Sequence, residues 1–146
     1  MGRKITKLLT LILLAALLTL TAGAIEPIAE GTCGNNVTWA LDHEGTLTIS
    51  GNGKIADYDI YFDKILSPWY DYADSIVHAV IEPGVTGIGS DTFCNLPYLE
   101  SVSIPNSVTY IGHQAFRDCI ALTAVSIPNP DAVLDSEGWI FCGCEA

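Results

Sequence analysis

Three histidines, five cysteines and a run of acids beside aromatic rings are the side chains here with chemistry to offer. His43, His78 and His113 are the bases that titrate near neutral pH, and Cys33, Cys94, Cys119, Cys142 and Cys144 are the potential nucleophiles. The pattern places the histidines in a turn, a strand and a loop, with no constellation around any of them. No serine elbow, phosphate-cradling glycine loop or metal-binding helix motif is present. Cys142-Gly143-Cys144 is closer than the two-residue gap of zinc pairs, and no second Cys or His pair accompanies it. The sequence therefore predicts no catalytic residue, no cofactor and no metal.

The segment from Asp57 to Asp74 mixes acids with rings. Asp57, Asp59 and Asp63 are a candidate calcium set, but their spacing is not that of the EF-hand loop and its glycine is missing. Tyr58, Tyr61, Trp69 and Tyr72 are a candidate sugar-stacking platform. The competing expectation is structural: Trp69, Tyr70 and Tyr72 seal the apolar end of whatever follows, with Ser67-Pro68 as a helix start. Asn36-Val37-Thr38 matches a glycosylation sequon.

The ends of the chain set the context for that chemistry. Arg3, Lys4 and Lys7 precede an apolar stretch from Leu8 to Leu20, and Ala22-Gly23-Ala24 follows. Basic, apolar, small is the order of a secretory signal peptide, here residues 1–24. A retained anchor is the competing reading, although the run falls short of the roughly 20 residues a spanning helix prefers. With the leader gone, Lys54, Lys64 and Arg117 face seventeen acids, for a formal charge of −14. Such a surface repels phosphate backbones and anionic headgroups, so neither nucleic acid nor membrane insertion is expected.

The elements that must position these residues come from a repeat. Val80 to Leu99 laid over Ser103 to Leu122 matches at a constant offset of 23 residues. Ile81 meets Ile104, Val85 meets Val108, Ile88 meets Ile111, Gly89 meets Gly112, Phe93 meets Phe116 and Leu99 meets Leu122. The same shift carries Val102 onto Val125 and Ile104 onto Ile127. With two extra residues, Phe116 and Cys119 map onto Phe141 and Cys144. A period of 23 falls in the range of leucine-rich repeats.

Each unit reads as a short strand, ended by a proline that cannot join a ladder, then a turn, then one helical turn over His113 to Cys119. Gly112 is expected in a backbone conformation that other residues resist. Stacked units bury Ile81, Val85, Ile88, Phe93, Leu99, Val102, Ile104, Val108, Ile111, Phe116, Cys119, Leu122, Val125, Ile127 and Phe141. Leu96 stands in the cysteine column, so that position calls for a hydrophobe rather than a redox partner. The odd cysteine count also disfavours a full disulfide framework.

The run L-x-x-V-x-IP-N-S-V-x-x-IG-x-x-AF-x-x-C-x-x-L, from Leu99 to Leu122, resembles the repeats of BspA-like bacterial leucine-rich-repeat proteins. The block GTCGNNVTWALDHEGTLTISGNG is similar to the segment that often precedes such arrays. The resemblance implies a secreted or cell-surface location and a role in adhesion or ligand binding, with the ligand left open.

The expected architecture is a β-rich α/β leucine-rich-repeat solenoid behind a β-hairpin cap. The cap spans residues 25–76, where Val37–Leu41 and Thr46–Ser50 alternate with period two about Asp42-His43-Glu44-Gly45. Repeats fill 77–146, in units of about 77–99, 100–122 and an incomplete 123–146. Strand positions pointing outward, His78, Val80, Ser101, Ser103, Ala124 and Ser126, are the candidate binding face for a protein or glycan; an ordinary solvated face is the equal alternative. The open last unit leaves three readings: a truncated frame, a short protein, or one that self-associates end to end. A structural spacer without a ligand is the second function class.

Overall fold

The computed structural model describes residues 26–61, 64–65 and 67–145. The leader, with Ile25, and Asp63 lie outside the described residues, as does the side chain of Tyr61.

Three antiparallel strands come first: β1 (Ala29–Gly34), β2 (Val37–Leu41) and β3 (Thr46–Gly51). The hairpin turn forms because the Asp42 carboxylate accepts the N–H groups of Glu44 and Thr46 at 2.9 and 2.8 Å, while Gly45 takes a φ of 83°. Trp39 faces Ile49 and Leu41 faces Leu47 across the ladder. All four are buried, as their alternation predicts. β1 is not legible in the sequence, since AEGTCG carries no alternating large apolar residues.

The remaining elements are short. β4 is Gly53–Lys54, β5 is Ile60–Tyr61 and β6 is Lys64–Ile65. A 3-10 helix at Tyr70–Ser75 follows. Then come β7 (His78–Ile81), β8 (Val85–Ile88), β9 (Ser101–Ser103), β10 (Tyr110–Ile111), β11 (Ala124–Ser126) and β12 (Val133–Leu134). They build a six-stranded sheet in the order β1-β2-β3-β7-β9-β11 and a four-stranded sheet in the order β12-β10-β8-β4. β5 and β6 pair separately.

From β3 onward the larger sheet is parallel. His78, Ser101 and Ala124 share one row, Ala79, Val102 and Val125 the next, and Val80, Ser103 and Ser126 the third. The 23-residue offset is thus the register of the sheet. In the smaller sheet Ile88, Ile111 and Leu134 share a row, again by parallel pairing. Outside the strands the backbone keeps the same ladder: Phe93 N–H donates to Ala115 at 2.8 Å, and Phe116 N–H to Ile140 at 2.9 Å.

Between the sheets the aromatic rings stack. Trp69, Phe93, Phe116 and Phe141 follow one another with centroids 5.6, 5.2 and 5.4 Å apart and interplanar angles of 22°, 6° and 7°. Trp69 heads this column and is fully buried; Trp39 meets it edge-on at 5.9 Å. Tyr72, 38 % exposed, lies at the rim of this cluster with its ring 6.3 Å from that of Trp39.

Four expectations need correction. The stretch around Phe116 is no helical turn; it is a chain of tight turns. Asn95 and Asp118 hold left-handed conformations there at φ 55° and 58°, and Gly143 follows at 79°. Gly112 and Gly89 do not have positive φ. They are needed for close approach instead: a Cβ on Gly112 would lie 2.6 Å from the Ser90 nitrogen, and one on Gly89 would press on the Ala56 carbonyl. The helix starting at Ser67-Pro68 begins at Tyr70 and has no side-chain cap. Last, Val125 and Ile127 are half-buried and Phe141 is 36 % exposed, because among the described residues no further unit covers them. The other expected core residues are buried.

Two substitutions test this packing. Phe116→Ala should cost about 3–5 kcal/mol through the cavity it opens, read by chemical denaturation. Gly112→Ala should cost roughly 1–3 kcal/mol by forcing neighbouring backbones apart, whereas Gly138→Ala, with open space around it, meets no steric neighbour.

Candidate functional site

The strands that build the core also build a face pointing away from it. Period-two alternation sends Ala79 and Ile81 inward and His78 and Val80 outward. Of the six residues expected on this face, His78, Ser101, Ser103, Ala124 and Ser126 are exposed and Val80 is half-buried. The parallel register brings all six together on β7, β9 and β11. His78 Nδ1 lies 2.9 Å from Ser101 Oγ, so two of the candidates are hydrogen-bonded to each other.

The face is larger than the sequence shows. Glu30, Ala40, Thr48, Val80, Ser103 and Ser126 form one row that crosses all six strands. Thr32, Thr38 and Ser50 form a shorter row beside it. A shallow recess of about 440 Å³ opens where Glu30, Thr32, Thr38, Thr48 and Ser50 meet. The alternation in β2 and β3 could have named the outward residues. Their place beside β7 was hidden, because Thr48 precedes Val80 by more than one repeat length. Along the long row Glu30 is the one charged residue, on a chain that is otherwise strongly acidic.

The chemical candidates take other roles. Cys119 is fully buried, and its thiol donates to the Phe93 carbonyl at 3.0 Å. Cys144 repeats that contact with the Phe116 carbonyl at 3.2 Å. The cysteine column is therefore apolar, as Leu96 suggested, with a backbone acceptor as well. Burial pushes the Cys119 thiol up to about 12 and the Cys94 thiol to about 11. Neither supplies a thiolate near neutral pH.

Trp69 cannot stack a sugar, since no part of its indole reaches solvent. Tyr58 is half-buried, and its hydroxyl donates to the Cys33 carbonyl at 3.2 Å. Of the candidate sugar platform, Trp69 and Tyr58 thus belong to the core, whereas Tyr72 is exposed. Asp57 is engaged by Lys54 Nζ at 3.0 Å and by the Ser90 N–H at 2.8 Å, tying the segment before the repeats to the first unit. His113 sits 3.4 Å from Asp135 and 3.6 Å from Glu137. His43 is exposed in the hairpin turn. Asp91, which no sequence signal singles out, is buried; that burial raises its carboxyl against the pull of Arg117 and His113. Among the described residues no helix is long and apolar enough to cross a membrane.

This geometry, parallel strands set one repeat apart over an apolar column, agrees with a direct comparison. The BspA type leucine rich repeat region matches residues 63–146, in six copies. The chain belongs to this family. A crystal structure of a leucine-rich repeat protein from Eubacterium ventriosum is similar at 31 % identity, with a TM-score of 0.60 over 66 % of this chain and 25 % of that one. The chain thus spans a quarter of that relative's length. A leucine rich cell surface protein from Faecalibacterium prausnitzii aligns at 30 % identity over 75 % of this chain and 33 % of that one, with a TM-score of 0.40. A leucine-rich repeat protein from Bacteroides capillosus aligns at 17 % identity over 83 % and 96 %, with a TM-score of 0.47. No match was found among curated proteins.

The thiol environments make a pH prediction. A group whose value is raised in the folded chain stabilises it fully below the unfolded value and loses that contribution as the pH climbs through the folded one. Cys33 and Cys119, raised from 9.0 to about 12, should make stability fall between pH 9 and about pH 12. Alkylation followed by mass spectrometry should label Cys142 and Cys144 before the buried Cys33, Cys94 and Cys119.

Proposed function

We propose that this chain is a secreted or cell-surface adhesion module, non-catalytic, that holds a protein or glycan partner on the outer face of its six-stranded sheet. The observation that carries the reading is the row from Glu30 to Ser126, in register across every strand and nearly free of charge. Small side chains let a flat partner approach the backbone closely, and the acidic remainder of the surface discourages unspecific anionic ligands. The order of basic, apolar and small residues in the leader supports export. Membership of the BspA-type repeat family supports binding over catalysis.

In this reading the repeats form a short solenoid, and β1 and β2, together with Trp39, cap its N-terminal end. Such a cap removes the apolar end that a bare array would expose.

A spacer role without any ligand is the second reading, and one observation favours it. The row lacks the buried tryptophan, tyrosine or arginine anchors that dominate strong protein interfaces. The two readings separate experimentally. The immobilised chain should retain a component from a panel of extracellular proteins and glycans, and Val80→Arg with Ser103→Arg should abolish retention while the thermal transition stays in place. A chain that retains nothing from the panel is a spacer.

A further inference from the structure

Where the first repeat unit meets the second, one carboxyl stands apart from the rest of the acidic surface. Asp91 is 9 % exposed, and its Oδ1 is buried without a hydrogen-bond donor. Its backbone sits in the left-handed region at φ 53°. From there its N–H donates to the His113 carbonyl of the next unit at 2.9 Å. Phe93 and Asn95 continue this seam, donating to the carbonyls of Ala115 and Arg117 at 2.8 Å each. The carboxyl is thus held in place by bonds that it does not itself make.

The charged groups that act on it are turned elsewhere. Arg117 Nε donates to Asp118 at 3.0 Å, and its Nη1 donates to Gln114 at 2.9 Å. His113 Nδ1 faces Asp135 and Glu137. Asp59, in the segment before the repeats, adds a second negative charge. The Cys94 thiol, pushed up by burial to about 11, keeps its proton at neutral pH. Asp57 gives the contrast. It is partly buried too, yet the Ser90 N–H and Lys54 hold its carboxyl below the usual carboxylate range. For Asp91 burial outweighs the pull of Arg117 and His113, and its carboxyl is raised. One repeat length on, the equivalent left-handed position is Gln114 at φ 51°, a neutral amide whose oxygen accepts from Arg117.

We propose that Asp91 is a proton-operated fastening between the first and second units, tight when its carboxyl is neutral and slack when it is charged. A buried oxygen without a donor costs far more as a carboxylate than as an acid. Opening the seam to water relieves that cost, and the bonds of Phe93 and Asn95 are the ones that open with it. The sign follows from the direction of the shift. A carboxyl raised in the folded chain contributes fully below its ordinary value of 3.8. That contribution is lost as the pH climbs through the folded value. Mild acid therefore closes the seam, and neutral pH slackens it. Asp42 and Asp57, both lowered, act in the opposite sense, so the fastening is read at Asp91 rather than in the whole chain's pH profile. It does not depend on the outer-face binding role.

The test is Asp91→Asn in the full chain, which keeps the shape and removes the charge; Asn tolerates left-handed backbone well. In urea denaturation the variant's midpoint should lie above the native one at pH 7, and the two should converge towards about pH 4. Hydrogen exchange of the Phe93 and Asn95 amides, compared at pH 7, should be slower in the variant. The expected factor is about tenfold for each pH unit by which the Asp91 carboxyl titrates above its ordinary value. Carbon-13 NMR of that carboxyl in the native chain reads the same shift directly, with Asp42 as the lowered reference. A variant less stable at pH 7, or one that does not fold, overturns the proposal, because the carboxylate would then be paired in the folded chain. A midpoint difference equal at every pH overturns it, as does a native carboxyl that titrates in or below the usual range. Unchanged exchange at Phe93 and Asn95 overturns the placement of the fastening at this seam.

Discussion

No turn of this chain can satisfy itself; what one turn leaves open, the next one closes. The N–H of Phe93 finds its acceptor on Ala115, and that of Phe116 finds Ile140. The ring of Phe93 is covered by Phe116, and the thiol of Cys119 reaches back to the Phe93 carbonyl. Polar and apolar needs are met by the same neighbour at the same offset. Stability is then shared between adjacent turns rather than held within any of them.

That dependence explains the gradient of burial along the molecule. Trp69, Phe93 and Phe116 each have a neighbour on both sides and are fully buried, while Phe141 has one. Val125 and Ile127 lose cover in the same way, although their residue types equal those of Val102 and Ile104. The N-terminal side escapes this fate because β2 and β1 extend the large sheet and Trp39 packs edge-on against Trp69.

It also explains why the buried cysteines are poor nucleophiles. Columns that make a core have to be dry, and a dry thiol holds its proton, as Cys119 does. The positions the columns do not use are the alternate strand residues facing out. In a repeat family these vary on a common frame. Here they are serine, alanine, threonine and valine beside one histidine and one glutamate.

The sequence by itself determined the spacing of the fold. A constant offset of 23 residues is local information, so it named the strand register and the ring column from Phe93 to Phe141. It did not determine what depends on chain segments far apart. The parallel contact of β3 with β7 crosses an insertion that breaks the offset, and β1 has no periodic signal of its own. Gly112 and Gly89 look like turn residues until a neighbouring backbone is seen lying against them. The tryptophan read as a sugar platform became the head of the core for the same reason: whether a ring meets solvent or another ring is decided by the neighbour the fold sets beside it.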